Sequence, residues 1–146
     1  LDYRSYYIYR KDVSWENFLL REWLNEDFLN AAFSEDEKAK ILTITVYPDK
    51  ESTGNATQDR IFLLSCAEVE EYFGSNSETK CKATDYAVEK GAYVKEGTGN
   101  CRWWLRTSGA KPGYAAYVDE RGKTFLSDVN ADSSAIRPAM WIEVNP

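Results

Sequence analysis

The residues in this sequence best equipped for chemistry are three cysteines, two adjacent tryptophans beside an arginine, and two loops rich in tyrosine and asparagine. Cys66, Cys81 and Cys101 form no C-x-x-C pair, and the chain has no histidine to complete a zinc-type ligand set, so no metal site is expected. The same absence removes Ser–His and Cys–His nucleophile pairs and the side chain that most often moves protons near neutral pH. The neighbouring carboxylates Glu70–Glu71 and Asp119–Glu120 fall on elements read as exposed and need no acid–base role. No catalytic residue and no cofactor are expected, and binding ranks above catalysis.

Recognition chemistry concentrates late in the chain. In Trp103-Trp104-Leu105-Arg106, a strand's period of two puts Trp104 and Arg106 on one face and Trp103 and Leu105 on the other. One indole then belongs to the core and the other stands beside a guanidinium, as a ligand contact or as a structural stack. Arg137, before Pro138, must find carboxylate or carbonyl partners if it is internal, with Asp85, Asp119 and Asp128 as candidates. Residues 108–117 and 127–134 add Lys111, Tyr114, Tyr117, Asp128, Asn130, Asp132 and Ser133, the adaptable vocabulary of recognition loops, which is also that of plain solvated loops. The candidate ligand-binding set is therefore Trp104, Arg106, Lys111, Tyr114, Tyr117, Asp128, Asn130 and Arg137. Cys81 and Cys101 form a candidate disulfide if a helix and a strand meet there; it would close a loop of about 20 residues and contribute roughly 3 kcal/mol. The alternative is three reduced thiols.

Composition bounds these readings. A chain of 146 residues fits a single domain, 1–146. Its net charge of −6 and its scattered Lys and Arg argue against nucleic acid or an anionic membrane as partner. No apolar run approaches the roughly 20 residues that span a bilayer. Aromatic residues make up 14% of the chain, enough to serve a core, a recognition surface or both.

The positioning elements follow from periodicity and caps. Ser14 is expected to cap a helix over Trp15–Asn30, with Phe18, Leu19, Trp23, Leu24 and Phe28 as its buried stripe and Arg21, Glu22, Asn25 and Glu26 opposite. S-x-x-E capping boxes at Ser34/Glu37 and Ser65/Glu68 open two further helices, the second burying Val69, Tyr72 and Phe73 and ending at Gly74. Thr43–Tyr47 reads as a strand or extended connector and Arg60–Leu64 as a strand, with Pro48–Asp59 and Ser75–Lys80 as loops. Thr84–Lys90 reads as a short helix with Tyr86 and Ala87 inward. Strands follow at Cys101–Thr107, Tyr114–Val118 and Lys123–Ser127, the last two joined by the turn Asp119–Gly122, and Ala135–Val144 is a final strand interrupted at Pro138. Leu1–Arg10 reads as a strand or extended arm. Helices first and an antiparallel strand meander afterwards give an α+β domain.

W-E-N-x-x-L-R-x-W-L-N at Trp15–Asn25, D-R-I-F-L-L-S at Asp59–Ser65, W-W-L-R-T-S-G at Trp103–Gly109 and I-R-P-A-M-W-I at Ile136–Ile142 resemble an uncharacterised bacterial domain family of unknown function. That family is in turn similar to the C-type-lectin-like fold, in the branch shared with formylglycine-generating enzymes. The resemblance implies further strands before Leu1, so the chain is expected to be trimmed relative to the family. It also implies a non-enzymatic module at a bacterial surface or envelope, or secreted, that binds a glycan, peptide or protein. A structural spacer and a cysteine-dependent enzyme of the formylglycine-generating type are the alternatives. The runs with which lectins hold calcium and sugar have no counterpart here.

Overall fold

The computed structural model describes residues 13–50, 52–130 and 133–144, so the expectations for Leu1–Arg10 and Asp132 lie outside the described residues. Helical and antiparallel strand elements together make an α+β structure. A 3₁₀ turn, Trp15–Asn17, is the first element among the described residues, and Phe18 breaks it in an extended conformation. A helical run then passes from α1 (Leu19–Trp23) through a π segment (Leu24–Phe28) into α2 (Leu29–Ala32). Ser14 gives no side-chain cap.

The break and the wide turn shift the buried stripe from its expected phase. Phe18, Leu20, Leu24 and Leu29 are buried, Trp23 and Phe28 only pack against them, and Leu19 is 55% exposed. The cause of the wide turn is Asn25, which was expected on the outer face. Its Nδ2 donates to the carbonyls of Arg21 (3.0 Å) and Ile61 (2.8 Å), while its Oδ1 accepts from the N–H groups of Arg60 and Ile61. The side chain thereby occupies the Arg21 carbonyl that the fourth residue on would bond in an α-helix.

Both capping boxes form as expected, opening α3 (Glu35–Lys40) and, later, α4 (Cys66–Tyr72). Between them β1 (Ile44–Val46) pairs antiparallel with β2 (Thr57–Asp59), a strand within the stretch expected to be loop. Arg60–Leu64 is not a sheet strand but a buried extended segment, held by a bridge between Phe62 and Ala139. α5 (Asn76–Thr79) is a single turn in the expected loop, and β3 (Cys81–Lys82) leads to α6 (Asp85–Glu89). Of the side chains expected inward on these helices, Val69 and Ala87 are buried; Tyr72 and Tyr86 are about half exposed, Tyr86 lying beneath the Lys90 ammonium.

The expected strand at Cys101–Thr107 divides at Arg102. β4 (Asn100–Cys101) pairs with β3, whereas β5 (Trp103–Ser108) begins the meander β5-β6-β7 with β6 (Tyr114–Val118) and β7 (Thr124–Asp128). Both faces of β5 are covered, so it is buried along its whole length, whereas β7 is exposed. Trp104 and Ala115 belong to the main core with the N-terminal helices, while Trp103, Leu105, Ala116 and Val118 pack with Val69 of α4. The hairpin turn is fastened by Asp119, whose Oδ1 accepts from the N–H groups of Arg121 and Lys123. Burial opposes the charge of its carboxyl, yet these bonds and the Arg121 guanidinium hold it below the usual carboxylate range. Gly122 at the tip has φ +84°, and a Cβ there would fall 1.9 Å from the Asn76 carbonyl oxygen, so only glycine lets the tip rest on α5.

The C-terminal stretch is extended but forms no continuous ladder. Ala135 bridges Trp103 in parallel, Ala139 bridges Phe62 and Ile142 bridges Ile41, so it laces the sheet to the segment after α3.

Candidate functional site

A register shift between Trp104 and Ser108 decides what the end of β5 can do. It ends the period-two placement and re-aims the strand toward α4. Arg106, 5% exposed, forms a bidentate ion pair with Glu68, its Nη2 lying 2.7 Å from Oε1. The same guanidinium donates to the carbonyls of Leu63 (2.8 Å) and Tyr47 (3.2 Å). Thr107 Oγ1 accepts from the Cys66 N–H at 2.8 Å and lies 2.5 Å from Asp49 Oδ2. Ser52 Oγ accepts from the Ser108 N–H, and Ser108 Oγ from the Thr53 N–H. Three segments distant in sequence are thus fastened around one strand end.

Beside that strand end opens a cleft of about 730 Å³. Its walls are residues 48–50, the first turn of α4 with Cys66, Ala67 and Glu70, residues 107–110, and Thr124, Phe125 and Leu126 of β7, with Ala116 also among the lining. β7 forms one edge of its sheet among the described residues, and Phe125 and Leu126 are 43% and 53% exposed there. An apolar pair at a strand edge beside a cleft is unusual, because exposed edges normally carry charge or proline. Asp49, Lys50 and Glu70 supply charged groups in the lining.

The eight residues nominated from sequence do not line this cleft. Lys111, Tyr114, Asp128 and Asn130 do come together, at the adjoining end of the sheet. The Lys111 ammonium lies over the Tyr114 ring, Tyr114 is opposite Asp128 across the ladder, and Asp128 Oδ1 accepts from the Asn130 N–H at 2.9 Å. Trp104 is buried, with Tyr117 set edge-on against it and Phe125 beyond. Both indoles of the tryptophan pair are therefore core, and the guanidinium of Arg106 lies over Phe62. Arg137 stands elsewhere: its guanidinium lies over the rings of Trp103 (4.8 Å) and Phe73 (5.1 Å), with no carboxylate paired to it among the described residues.

Ser108, Gly109 and Ala110 fall in the loop 108–117 read as recognition surface; the other cleft residues escaped sequence reading because segments distant in sequence contribute them. One local signal existed: Thr124-Phe125-Leu126-Ser127-Asp128 has two consecutive apolar residues in a five-residue strand, which forces one of them outward.

Cys81 and Cys101 also meet, though between two short strands rather than a helix and a strand. They are directly opposite in the β3–β4 ladder, both as thiols. Cys81 is half-buried and Cys101 fully buried. The Cys101 thiol donates to the Cys81 carbonyl at 3.3 Å, and the Cys81 thiol points at the Lys82 carbonyl at 3.6 Å. The neighbouring Cys101 thiol is the main influence drawing the Cys81 thiol below its ordinary value; burial opposes this and the Arg137 charge assists it. The Cys101 thiol is correspondingly raised, by the Cys81 sulfur beside it and by burial. Among the described residues no group of three or more His, Cys, Asp or Glu could hold a metal ion, and no helix is long and apolar enough to cross a membrane.

The model of a family described as Domain of unknown function (DUF6273) matches residues 2–144. No curated protein and no solved structure matches the chain.

Proposed function

The chain belongs to the DUF6273 family, and on that footing we propose that it is a non-enzymatic binding module whose cleft takes up an extended segment of a partner polypeptide. The observation that carries this reading is the edge of β7, with Phe125 and Leu126 exposed beside a cleft of about 730 Å³. A strand edge offers a row of backbone donors and acceptors, and an extended peptide is the ligand that matches such a row while placing alternate side chains into a groove. The lining favours a peptide over a glycan. Among the described residues Phe125 is its one aromatic, whereas sugar rings are gripped by stacked aromatic faces and paired amides.

The scaffold proposed for this site is C-type-lectin-like, displayed at a bacterial surface or envelope. The resemblance of the W-W-L-R-T-S-G and I-R-P-A-M-W-I segments supports it, as does the order of N-terminal helices followed by an antiparallel meander. Lys111, Tyr114, Asp128 and Asn130, gathered at the neighbouring sheet end, would contact residues flanking the bound segment. The reading as a binder rather than an enzyme rests on the histidine-free sequence.

Selection from a displayed library of random dodecapeptides tests the proposal. Enriched peptides are expected to bind the isolated protein and to lose affinity by about 10- to 100-fold on Leu126→Asp, the worth of one buried leucine contact. Leu126 is exposed, so the variant's Tm should stay within about 2 °C of wild type. Equal binding to the variant, or no enrichment above a scrambled pool, would remove the cleft as the binding site.

A further inference from the structure

The cleft leaves one group of reactive side chains unused. Cys81 and Cys101 face each other across the β3–β4 ladder, and Arg137 carries its charge to both. The N–H of Ala83 bonds the carbonyl of Gly99. By the alternation of antiparallel ladders, Cys81 and Cys101 therefore also occupy a hydrogen-bonded position, with Cα atoms about 5.5 Å apart. That separation falls within the Cα range a disulfide needs, and closing the bond draws the two Cβ atoms to about 3.8 Å.

Access and charge divide the two sulfurs by role. Cys101 is 0% exposed and belongs to the small core of Ala87, Ala92 and Ala135. Cys81 is half-buried, packed at the border of that core and the one containing Trp103. Arg137 is sandwiched against Trp103 and Phe73, both in that second group, and its Nη1 is buried without a hydrogen-bond partner among the described residues. A buried guanidinium nitrogen left unpaired is costly, and an anion formed nearby relieves that cost.

We infer that Cys81 and Cys101 form a reversible dithiol–disulfide exchange site for low-molecular-weight disulfides, in which Cys81 attacks, Cys101 resolves and Arg137 positions the attacking sulfur's charge. The Cys81 thiolate attacks one sulfur of the small disulfide; the S–S bond breaks, a thiolate leaves, and a mixed disulfide forms on Cys81. Cys101 gives its proton to the departed thiolate, and its sulfur attacks the Cys81 sulfur and expels the second small thiolate, which takes up the proton lost earlier from Cys81. The two protein thiols lose two electrons and two protons, and the small disulfide is reduced to two thiols. The lowering of the Cys81 thiol favours its attacking form, and the raised Cys101 thiol holds the resolving proton until it is needed. The product staples the excursion of residues 82–100, which carries α6, to the ladder.

The test uses the native chain carrying Cys66→Ser, treated with oxidised glutathione at neutral pH and followed by intact mass and peptide mapping. This protein should pass through one glutathione adduct to a species lacking two hydrogens, and an excess of reduced glutathione should reverse it without denaturant. Adding Cys101→Ser should trap glutathione on Cys81, whereas adding Cys81→Ser should leave Cys101 unmodified. Arg137→Gln should slow adduct formation by about 2-fold at neutral pH, from the smaller thiolate fraction at Cys81. Trapping on Cys101 rather than Cys81 would overturn the inference. So would oxidation seen only under denaturing conditions, or an Arg137→Gln rate equal to wild type in a variant with unchanged circular dichroism.

Discussion

Replacing Arg106 with methionine should cost about 3–5 kcal/mol and lower Tm by about 10–20 °C, measured by thermal denaturation under reducing conditions. Nothing in the substitution reduces apolar packing greatly; the cost comes from what is left behind. Glu68 is 23% exposed, and besides pairing with Arg106 its Oε2 accepts from the Ser65 N–H at the start of α4. Without the guanidinium that carboxylate keeps its charge in a half-buried place, and the Leu63 and Tyr47 carbonyls lose their donor. The double variant Arg106→Met with Glu68→Gln removes the stranded charge while a side-chain carbonyl oxygen still serves the cap. It should recover about half of the loss, and this coupling separates an ion pair from two independent contributions. Loss from the single variant below about 1 kcal/mol would show that β5 and α4 are held together by apolar packing alone.

Asp59→Ala should be comparably severe, at about 3–5 kcal/mol by urea denaturation. Asp59 is 1% exposed and closes β2 against the first helical turn. Its Oδ2 accepts from Trp15 Nε1 at 2.9 Å and from Thr57 Oγ1 at 2.5 Å, while Arg21 Nε lies 2.7 Å from Oδ1. Alanine strands an indole N–H and a hydroxyl in the interior and leaves Arg21 without its ion pair. Asp59→Asn keeps the shape and one carbonyl oxygen but offers an amide where a donor already points. A cost of about 2–3 kcal/mol is therefore expected, with the order alanine above asparagine as the discriminating result. Equal costs would mean that the lost charge, rather than the shape and the acceptor that asparagine keeps, decides the stability of this corner.

These two clamps also show where sequence reading stopped. Ser34/Glu37 and Ser65/Glu68 were legible because a capping box is complete within four residues, and the Asp119–Gly122 turn because its glycine and its carboxylate are local. The roles of Glu68 and Asp59 as anchors were not, since their partners lie 38 residues away or more in Arg106, Arg21 and Trp15. The phase of the first helix failed for the same reason. Asn25 widens the helix by bonding the backbone at 60–61, and no window around residue 25 contains that information. β2 was missed because Thr57-Gln58-Asp59 is polar, its burial coming from the hydrogen-bonded Thr57 and Asp59 rather than from apolar side chains.

The candidate site divides in the same way. Sequence located the two loops at the end of the meander, and the structure gathers Lys111, Tyr114, Asp128 and Asn130 there. It assigned Trp104 and Arg106 to the ligand set because an indole and a guanidinium on one strand face suit a ligand as well as a core. Both are interior, since β5 is covered on its two faces and its end turns toward α4. The cleft beside them depends on that turn, and a register shift leaves no mark in composition.

The central claim, an extended polypeptide lying along β7 in the cleft, is tested most directly by amide shift mapping with a selected peptide titrated into labelled protein. The account predicts the largest perturbations at Thr124–Asp128, with a second group at the start of α4 and at residues 107–110, and new slow-exchanging amides on β7. Perturbations centred instead on Arg137 and α6, or spread evenly with no change along β7, would contradict it.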